Sequence, residues 1–256
     1  MLKGVDISEH NGKVDFEKLS KEVDFVMIRA TYGKKGIDKK SIYNIENAIK
    51  YFIPFGVYLY SYALNIEDAK SEANLLLRLI APYKEKLSLG IAIDMEDADL
   101  YKQNNGMPSN DTLVDIILEE QKIFENEGYD VMLYASSYWF NTKLNSNKLE
   151  SIKKWVANWN KNYKVDETKY IMHQYTSIGK VKGIEGRVDM NNLYSNLEIT
   201  NKEILKKDMI RNYPEYTWNT LTKLIENETL KGINGKIELS LDSVRLLVIL
   251  DRNQKL

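Results

Sequence analysis

The chain has 256 residues, with 36 Lys+Arg against 37 Asp+Glu and a formal net charge of −1. A hydrophobic share of 43% at near-zero charge excludes a disordered chain, and the charge balance argues against nucleic acid, whose phosphates demand a surplus of Lys and Arg. The absence of cysteine removes disulfides and thiolate chemistry, and two histidines, His10 and His173, are too few for a histidine zinc site, so neither a metal nor a cofactor is expected. No apolar run approaches the ~20 residues of a membrane span, and no membrane insertion is expected. The opening Met1-Leu2-Lys3-Gly4-Val5-Asp6 lacks a signal-peptide core and enters strand-like sequence at once, which reads as a protein held in the cytoplasm.

Strand-like runs rich in β-branched and aromatic residues are predicted at residues 4–7, 25–32, 56–62, 89–94, 130–135, 154–159, 170–176 and 187–190. A helix over 66–83 places Ala69, Ala73, Leu76, Leu77 and Ile80 on one face. A second, with Asn110 as its N-cap, runs through Leu113, Ile116, Ile117 and Phe124 to a glycine stop at Gly128. Strands alternating with helices favour a parallel sheet, here a modified (β/α)8 TIM-like barrel in the α/β class with some helices missing. A doubly wound open sheet is the structural alternative. Residues 1–195 form this domain and 196–211 a linker.

Residues 212–256 read as a small, mostly α-helical C-terminal domain. Helical spacing at Trp218, Leu221, Leu224 and Ile225 ends at Gly232, a short extended piece follows at 235–239, and Ser240 caps a helix over 241–252. That last helix is apolar nearly all round, through Val244, Leu246, Leu247, Val248, Ile249 and Leu250. So small a unit cannot bury so wide a stripe, which predicts packing on the barrel, on a second copy in a homodimer, or on a partner. Tyr213, Tyr216 and Trp218 offer a sugar-stacking face.

Chemistry in a parallel barrel gathers at the C-terminal ends of its strands. Asp6 ends the first predicted strand, Asp94, Glu96 and Asp97 end or follow the fourth, and Asp189 ends the eighth. Any one of these acids reads equally well as a first solvated residue or a helix cap. Together, on strands that become neighbours when a barrel closes, they point to a carboxylate-based hydrolase. Asp94 and Glu96 face one side of an extended strand, and two carboxyls in one cleft repel, so one is held protonated beside an ionised partner. That is what a general acid at a glycosidic bond requires.

Asp6-Ile7-Ser8 with Asn11-Gly12, Arg29-Ala30-Thr31-Tyr32-Gly33, Gly56-Val57-Tyr58-Leu59-Tyr60-Ser61-Tyr62, Ile93-Asp94-Met95-Glu96, Trp155-Val156-Ala157-Asn158-Trp159, Gln174-Tyr175 and Val188-Asp189-Met190-Asn191 follow one another in order. In this they resemble the family 25 glycoside hydrolases, N-acetylmuramidases of the Chalaropsis lysozyme type that are common among phage endolysins of Gram-positive hosts. The resemblance implies cleavage of the β-1,4 bond between N-acetylmuramic acid and N-acetylglucosamine in peptidoglycan glycan strands. It implies Glu96 as general acid, Asp94 as its carboxylate partner, and Asp6 and Asp189 as the other cleft acids. It further implies Tyr60, Tyr62, Trp159 and Gln174 as substrate-binding residues, while Tyr58, deeper on the same strand, is assigned to the core.

The sequence departs from the family pattern at Leu59, at His173 and at Tyr32, none of them a proposed catalytic carboxylate. The tail is similar to modules of the S-layer-homology type found in clostridial phage and wall hydrolases, which implies wall attachment, association, or both. An endolysin of this kind waits in the host cytoplasm and acts on the wall after release. A catalytically weak, lectin-like wall binder is the alternative function.

Overall fold

The computed structural model describes residues 1–194, 210, 213–227, 229–230 and 239–253. It separates into two compact units, Met1–Leu197 and Glu198–Leu256. In the first, the strands are β1 (Leu2–Ile7), β2 (Phe25–Tyr32), β3 (Gly36–Ile37), β4 (Phe55–Tyr60), β5 (Ile91–Asp94), β6 (Val131–Ser136), β7 (Lys153–Ala157), β8 (Met172–Gly179) and β9 (Val188–Leu193). They hydrogen-bond in the order β1-β9-β8-β7-β6-β5-β4-β2-β3, and pairing of β1 with β2 closes eight of them into a barrel, with β3 left as a short arm on β2.

The helices are α1 (Phe16–Leu19), α2 (Ser41–Lys50), α3 (Ile66–Ile80), α4 (Tyr101–Asn104), α5 (Asn110–Asn126) and α6 (Ser137–Thr142). Alternation along each strand sorts its side chains. Val26, Ile28, Ala30, Val57, Leu59, Ile91, Ile93 and Leu133 join the helix-facing core with Ile45, Ala69, Ala73, Leu76, Ile116, Ile117 and Phe124. The alternate residues fill the barrel, where Trp155 meets the rings of Tyr58 and Tyr134 edge-on at 6.4 and 4.6 Å. Gly4 leaves the room that Phe25 occupies, since a Cβ there would lie 2.5 Å from its ring.

The expectation of parallel strands fails at one place. β9 runs antiparallel to both β8 and β1. The segment between β8 and β9 is too short for the dozen or more residues of a crossover connection, so the chain turns back instead. Gly183 and Gly186, both at positive φ, carry that turn. Among the described residues no helix follows β7 or β8, in keeping with a barrel that lacks some helices.

Asn110 is not the cap of α5. Ser109 is, extended at φ −61° and ψ 159°, its hydroxyl accepting from the Thr112 amide at 3.1 Å. Asn110 is the first helical residue, and its side chain donates to the Thr142 carbonyl. The helix expected to reach residue 83 ends as α-helix at Ile80 and continues as a 3₁₀ turn, Ala81–Lys86. α2 had no clear sequence signal, because its buried face mixes Ser41 and Asn44 with Ile45 and Ala48.

In the second unit, α7 (Trp218–Glu226) meets α8 (Leu241–Arg252). Trp218, Leu221, Leu224, Val244 and Val248 are buried. The Thr220 hydroxyl donates to Asp251 at 2.9 Å, and Lys223 pairs with the same carboxylate. Leu246 and Ile249 on α8 stay 56% and 55% exposed. The stacking face expected of Tyr213, Tyr216 and Trp218 does not form as such. Trp218 is buried with its indole N–H on the Tyr213 carbonyl, the Tyr213 hydroxyl is tied to Leu239, and of the three only Tyr216 is exposed. The expected linker at 196–211, apart from Ile210, and nearly all of the extended piece at 235–239 lie outside the described residues.

Gly90, immediately before β5, sits at φ +66°, and a Cβ there would collide with the Asp130 carbonyl. Gly90→Ala is expected to destabilise the fold by about 2–4 kcal/mol, from left-handed strain plus a backbone clash. Urea unfolding against the wild type measures it, and a change within about 0.5 kcal/mol would refute the strain argument.

Candidate active site

β1 delivers Asp6 to the barrel mouth and β9 delivers Asp189 directly opposite it in register. Asp189 stands near the start of its strand, not at the end, and reaches the same rim because β9 is reversed. Asp6 Oδ2 accepts from Gln174 Nε2 at 3.0 Å and from Asn191 Nδ2 at 2.8 Å. Those amides are oriented by groups that can only donate: Trp159 Nε1 gives its proton to Gln174 Oε1 at 3.0 Å, and Trp155 Nε1 to Asn191 Oδ1 at 2.9 Å. The Tyr134 hydroxyl also donates to Gln174 Oε1. Both NH₂ groups are thereby turned on Asp6.

Burial and the neighbouring Asp189 push the Asp6 carboxyl up to about 7, against the lowering effect of its two amide donors. Burial raises Asp189 too, and the two carboxyls interact directly. Such a pair titrates as a unit and holds one proton between its members near neutrality.

Asp94 closes β5 and is 5% exposed. Its backbone carbonyl accepts from Ser61, and Met95 N–H continues the ladder onto Tyr134. Among the described residues Asp94 Oδ1 has no hydrogen-bond partner. Burial, then Glu96, hold its carboxyl well above the usual carboxylate range. Glu96 lies two residues on and half-buried. Burial raises it to about 7, Lys102 opposes, and Asp189, Asp99 and Asp97 raise it further. Asp94 and Glu96 therefore form a second coupled pair, the deeper member at the floor and the other open to the cleft.

Tyr60 ends β4 with a hydroxyl that lacks a partner among the described residues, and after burial itself its strongest influences are Glu96 and Asp94. Tyr62 stands one ring further out. Its hydroxyl donates to Asp99 at 2.6 Å, and its ring lies 5.1 Å from Tyr60, 4.6 Å from Tyr101 and 6.5 Å from Tyr32. Trp159 lies past the end of β7, 56% exposed yet fixed by its indole bond to Gln174. Such exposed but anchored aromatic rings suit apolar sugar faces.

The structure thus gathers Asp6, Asp94, Glu96, Asp189, Tyr60, Trp159 and Gln174 at one end of the barrel, with Tyr62 at the margin. Tyr58 lies deeper on β4, packed edge-on against Trp155 inside the barrel; it keeps slight exposure, and Asp6, Asp94 and Asp189 all act on its buried hydroxyl. Asp97 serves as a cap, accepting from Lys102 N and Gln103 N at 2.7 and 2.9 Å. His173 is a wall residue whose Nε2 meets the Asn158 carbonyl. Sequence reasoning missed Tyr101, Asp99, Lys102, Trp155 and Tyr134. The last two lay in predicted strands as ordinary aromatics, and only barrel closure shows that they face inward.

The raised carboxyl of Glu96 has a consequence for stability. A folded-state value of about 7 against an ordinary 4.5 contributes stability that is full below pH 4.5 and lost as pH rises through 7. Glu96→Gln removes that loss. The variant is expected to melt on the order of 5–10 °C above the wild type at pH 8, and level with it near pH 4. Melting curves across that range check this; a gap that widens toward pH 4 would reverse the assigned shift.

The model of the glycosyl hydrolases family 25 matches residues 5–184 of this chain. The autolytic lysozyme of Clostridium acetobutylicum is 27% identical over 191 residues, covering 74% of this chain and 55% of that protein. The modular autolysin LytC from Streptococcus pneumoniae, solved in complex with synthetic peptidoglycan ligand, is 35% identical at a TM-score of 0.68, covering 74% of this chain and 46% of that one. The chain spans about half the length of these two proteins. The CTP1L endolysin is alike in fold over 100% of both chains, at a TM-score of 0.62 and 19% identity. With a family match that runs from β1 through β8 and takes in Asp6, Asp94 and Glu96, the chain belongs to glycosyl hydrolases family 25.

Proposed function

We propose that this chain is a peptidoglycan hydrolase, an N-acetylmuramidase that cleaves the β-1,4 bond between N-acetylmuramic acid and N-acetylglucosamine. The observation that carries the reading is the coupled Asp94–Glu96 pair at the end of β5, facing the Asp6–Asp189 pair. Glu96, open to the cleft and holding its proton near neutrality, donates it to the glycosidic oxygen as the bond to the anomeric carbon breaks. Asp94, beneath it, is the ionised member of the pair while their shared proton sits on Glu96; its charge then steadies the oxocarbenium-like sugar until water adds at the anomeric carbon and gives its proton back to the carboxyl pair. Asp6 and Asp189 carry further negative charge at the same rim, and the free Tyr60 hydroxyl stands ready as a donor. The names of two relatives, an autolytic lysozyme and an autolysin bound to a peptidoglycan ligand, support the substrate class.

The finer reading is a Chalaropsis-type endolysin of a phage with a Gram-positive host, stored in the host cytoplasm until release. Its support is the order of motifs in the barrel. The C-terminal domain, 212–256, serves as a wall-targeting or association module. The motif likeness to S-layer-homology-type modules and the exposed Leu246 and Ile249 support that part.

Cell walls digested with the protein, reduced with borohydride and analysed by mass spectrometry test the reading. Reduced muramic acid ends are expected, with Glu96→Gln slowed by about 10²–10⁴-fold while still pelleting with walls. Reduced glucosamine ends, or only free peptide ends, would sink the muramidase assignment. Binding without any product would leave a lectin-like protein.

A further inference from the structure

Behind the catalytic rim lies a second group of ionisable side chains that the reaction does not use. Lys102 on α4, Glu72 on α3 and Glu120 on α5 are each 0% exposed. The Lys102 ammonium donates to the Ser61 carbonyl, in the segment after β4, and to the Glu96 carbonyl at 2.8 Å, in the segment after β5. The acids acting on it are Asp94 at the end of β5, Glu72 from α3, Asp97 from its own loop and Glu120 from α5. Glu72 Oε1 accepts the Tyr62 N–H at 3.1 Å, so the same glutamate also fixes the residue that follows Ser61.

Helix packing does not ask for these glutamates. Glu72 sits among Ala69, Ala73 and Leu76, and Glu120 continues the stripe of Ile116, Ile117 and Phe124. Among the described residues Glu72 Oε2 and both Glu120 oxygens lack a hydrogen-bond partner of good geometry, although the two glutamates and the Ser61 hydroxyl lie close enough to interact. Burial raises both glutamates, Glu72 to about 7, against the lowering charge of Lys102, and burial lowers Lys102 against the raising charge of the acids, so each side of the cluster is what opposes the cost of burying the other. Asp97 caps α4 from the other side, and between them Leu100 is held left-handed at φ 61°. A strained conformation of this kind survives where the surroundings over-determine it.

We propose that Lys102 is a positioning residue for Glu96: a resident cation, held by Glu72 and Glu120, that ties the β4 and β5 loops together and sets the direction and proton affinity of the catalytic carboxyl. The proposal rests on Glu96 being the general acid. Around Glu96, Lys102 is the positive group that opposes burial, Asp189, Asp99 and Asp97. Without its charge the Glu96 carboxyl holds its proton to higher pH. Without its donors the Glu96 backbone is no longer tied to Ser61, and a misplacement of about 1 Å can cost 10²-fold in rate.

Because the chain has no cysteine, Lys102→Cys offers one thiol that can be modified in denaturant before refolding. Aminoethylation places an ammonium where Nζ stood, and carbamoylmethylation places a neutral amide nitrogen there. Lys102→Met carries neither donor nor charge. For Lys102→Met, kcat is expected to fall by about 30–100-fold with KM nearly unchanged, and the high-pH limb of the profile to move up by roughly one unit. Aminoethylation of Lys102→Cys restores both rate and limb. Carbamoylmethylation leaves the limb high. The comparison of the two modified forms stands even if Lys102→Met does not fold.

Equal rates and equal limbs for the two modified forms would overturn the proposal. So would a loss that aminoethylation fails to reverse while wild type survives the same refolding. Carbon-13 NMR titration of Glu96 without substrate reads the same coupling independently of turnover. If the unmodified protein yields no reduced muramic acid ends, the muramidase reading fails, and the Glu96 titration alone decides whether Lys102 acts on that carboxyl.

Discussion

The mouth of this barrel depends on carboxyl groups placed where water cannot stabilise their charge. Asp6 and Asp94 are 6% and 5% exposed, and Glu96 is half-buried between them and the cleft. An isolated ionised carboxylate in such a place would be prohibitively costly, so the structure either withholds ionisation or supplies compensation. It does both. Each acid is paired with another, so that a proton is shared. The interior of the barrel is then organised around the compensation: two amides turned on Asp6, two indoles that fix the amides, and a buried ammonium behind Glu96.

That arrangement explains why the interior carries aromatic and amide side chains instead of the aliphatic layers common in such barrels. Trp155 and Tyr134 have apolar bodies that fill the interior and one polar atom each that orients a neighbour. Gln174 without Tyr134 still has Trp159, whereas replacing Trp155 with leucine would keep most of the volume and lose the orientation of Asn191. Asp6 would then face an amide free to rotate, and a carbonyl turned toward a carboxylate repels it. Trp159 extends the same logic to the surface, since the bond that fixes the Gln174 amide also holds an exposed ring over the cleft.

Much of the barrel was legible because outward-facing strand positions are β-branched or aliphatic, as in Val26-x-Ile28-x-Ala30 and Val57-x-Leu59. The acids at strand ends were legible for the same reason, as polar stops on apolar runs. Lys102 was not, because a lysine in a loop ordinarily reads as solvated. Its partners did leave a mark. Glu72 falls three residues after Ala69 and four before Leu76, and Glu120 falls four after Ile116 and four before Phe124. A glutamate inside the apolar stripe of a helix signals a buried counter-charge. The cap of α5 was misplaced by one residue because Ser109 and Asn110 both suit the role, and only the backbone conformation separates them.

The reversed strand shows how topology and electrostatics are joined. A parallel last strand would bring to the mouth whatever residue ended it, after a crossover helix the chain does not spend. Turning back through Gly183 and Gly186 instead brings the start of β9 to the mouth, where Asp189 falls in register with Asp6 and Asn191 lies two residues deeper on the same face. One strand thus supplies both the carboxyl that raises Asp6 and the amide donor that lowers it. A one-residue slip of β9 would turn Asp189 and Asn191 out of the barrel together and abolish both effects at once. The register is therefore part of the chemistry, and the bond from Trp155 on β7 to Asn191, made past the intervening β8, helps to pin it.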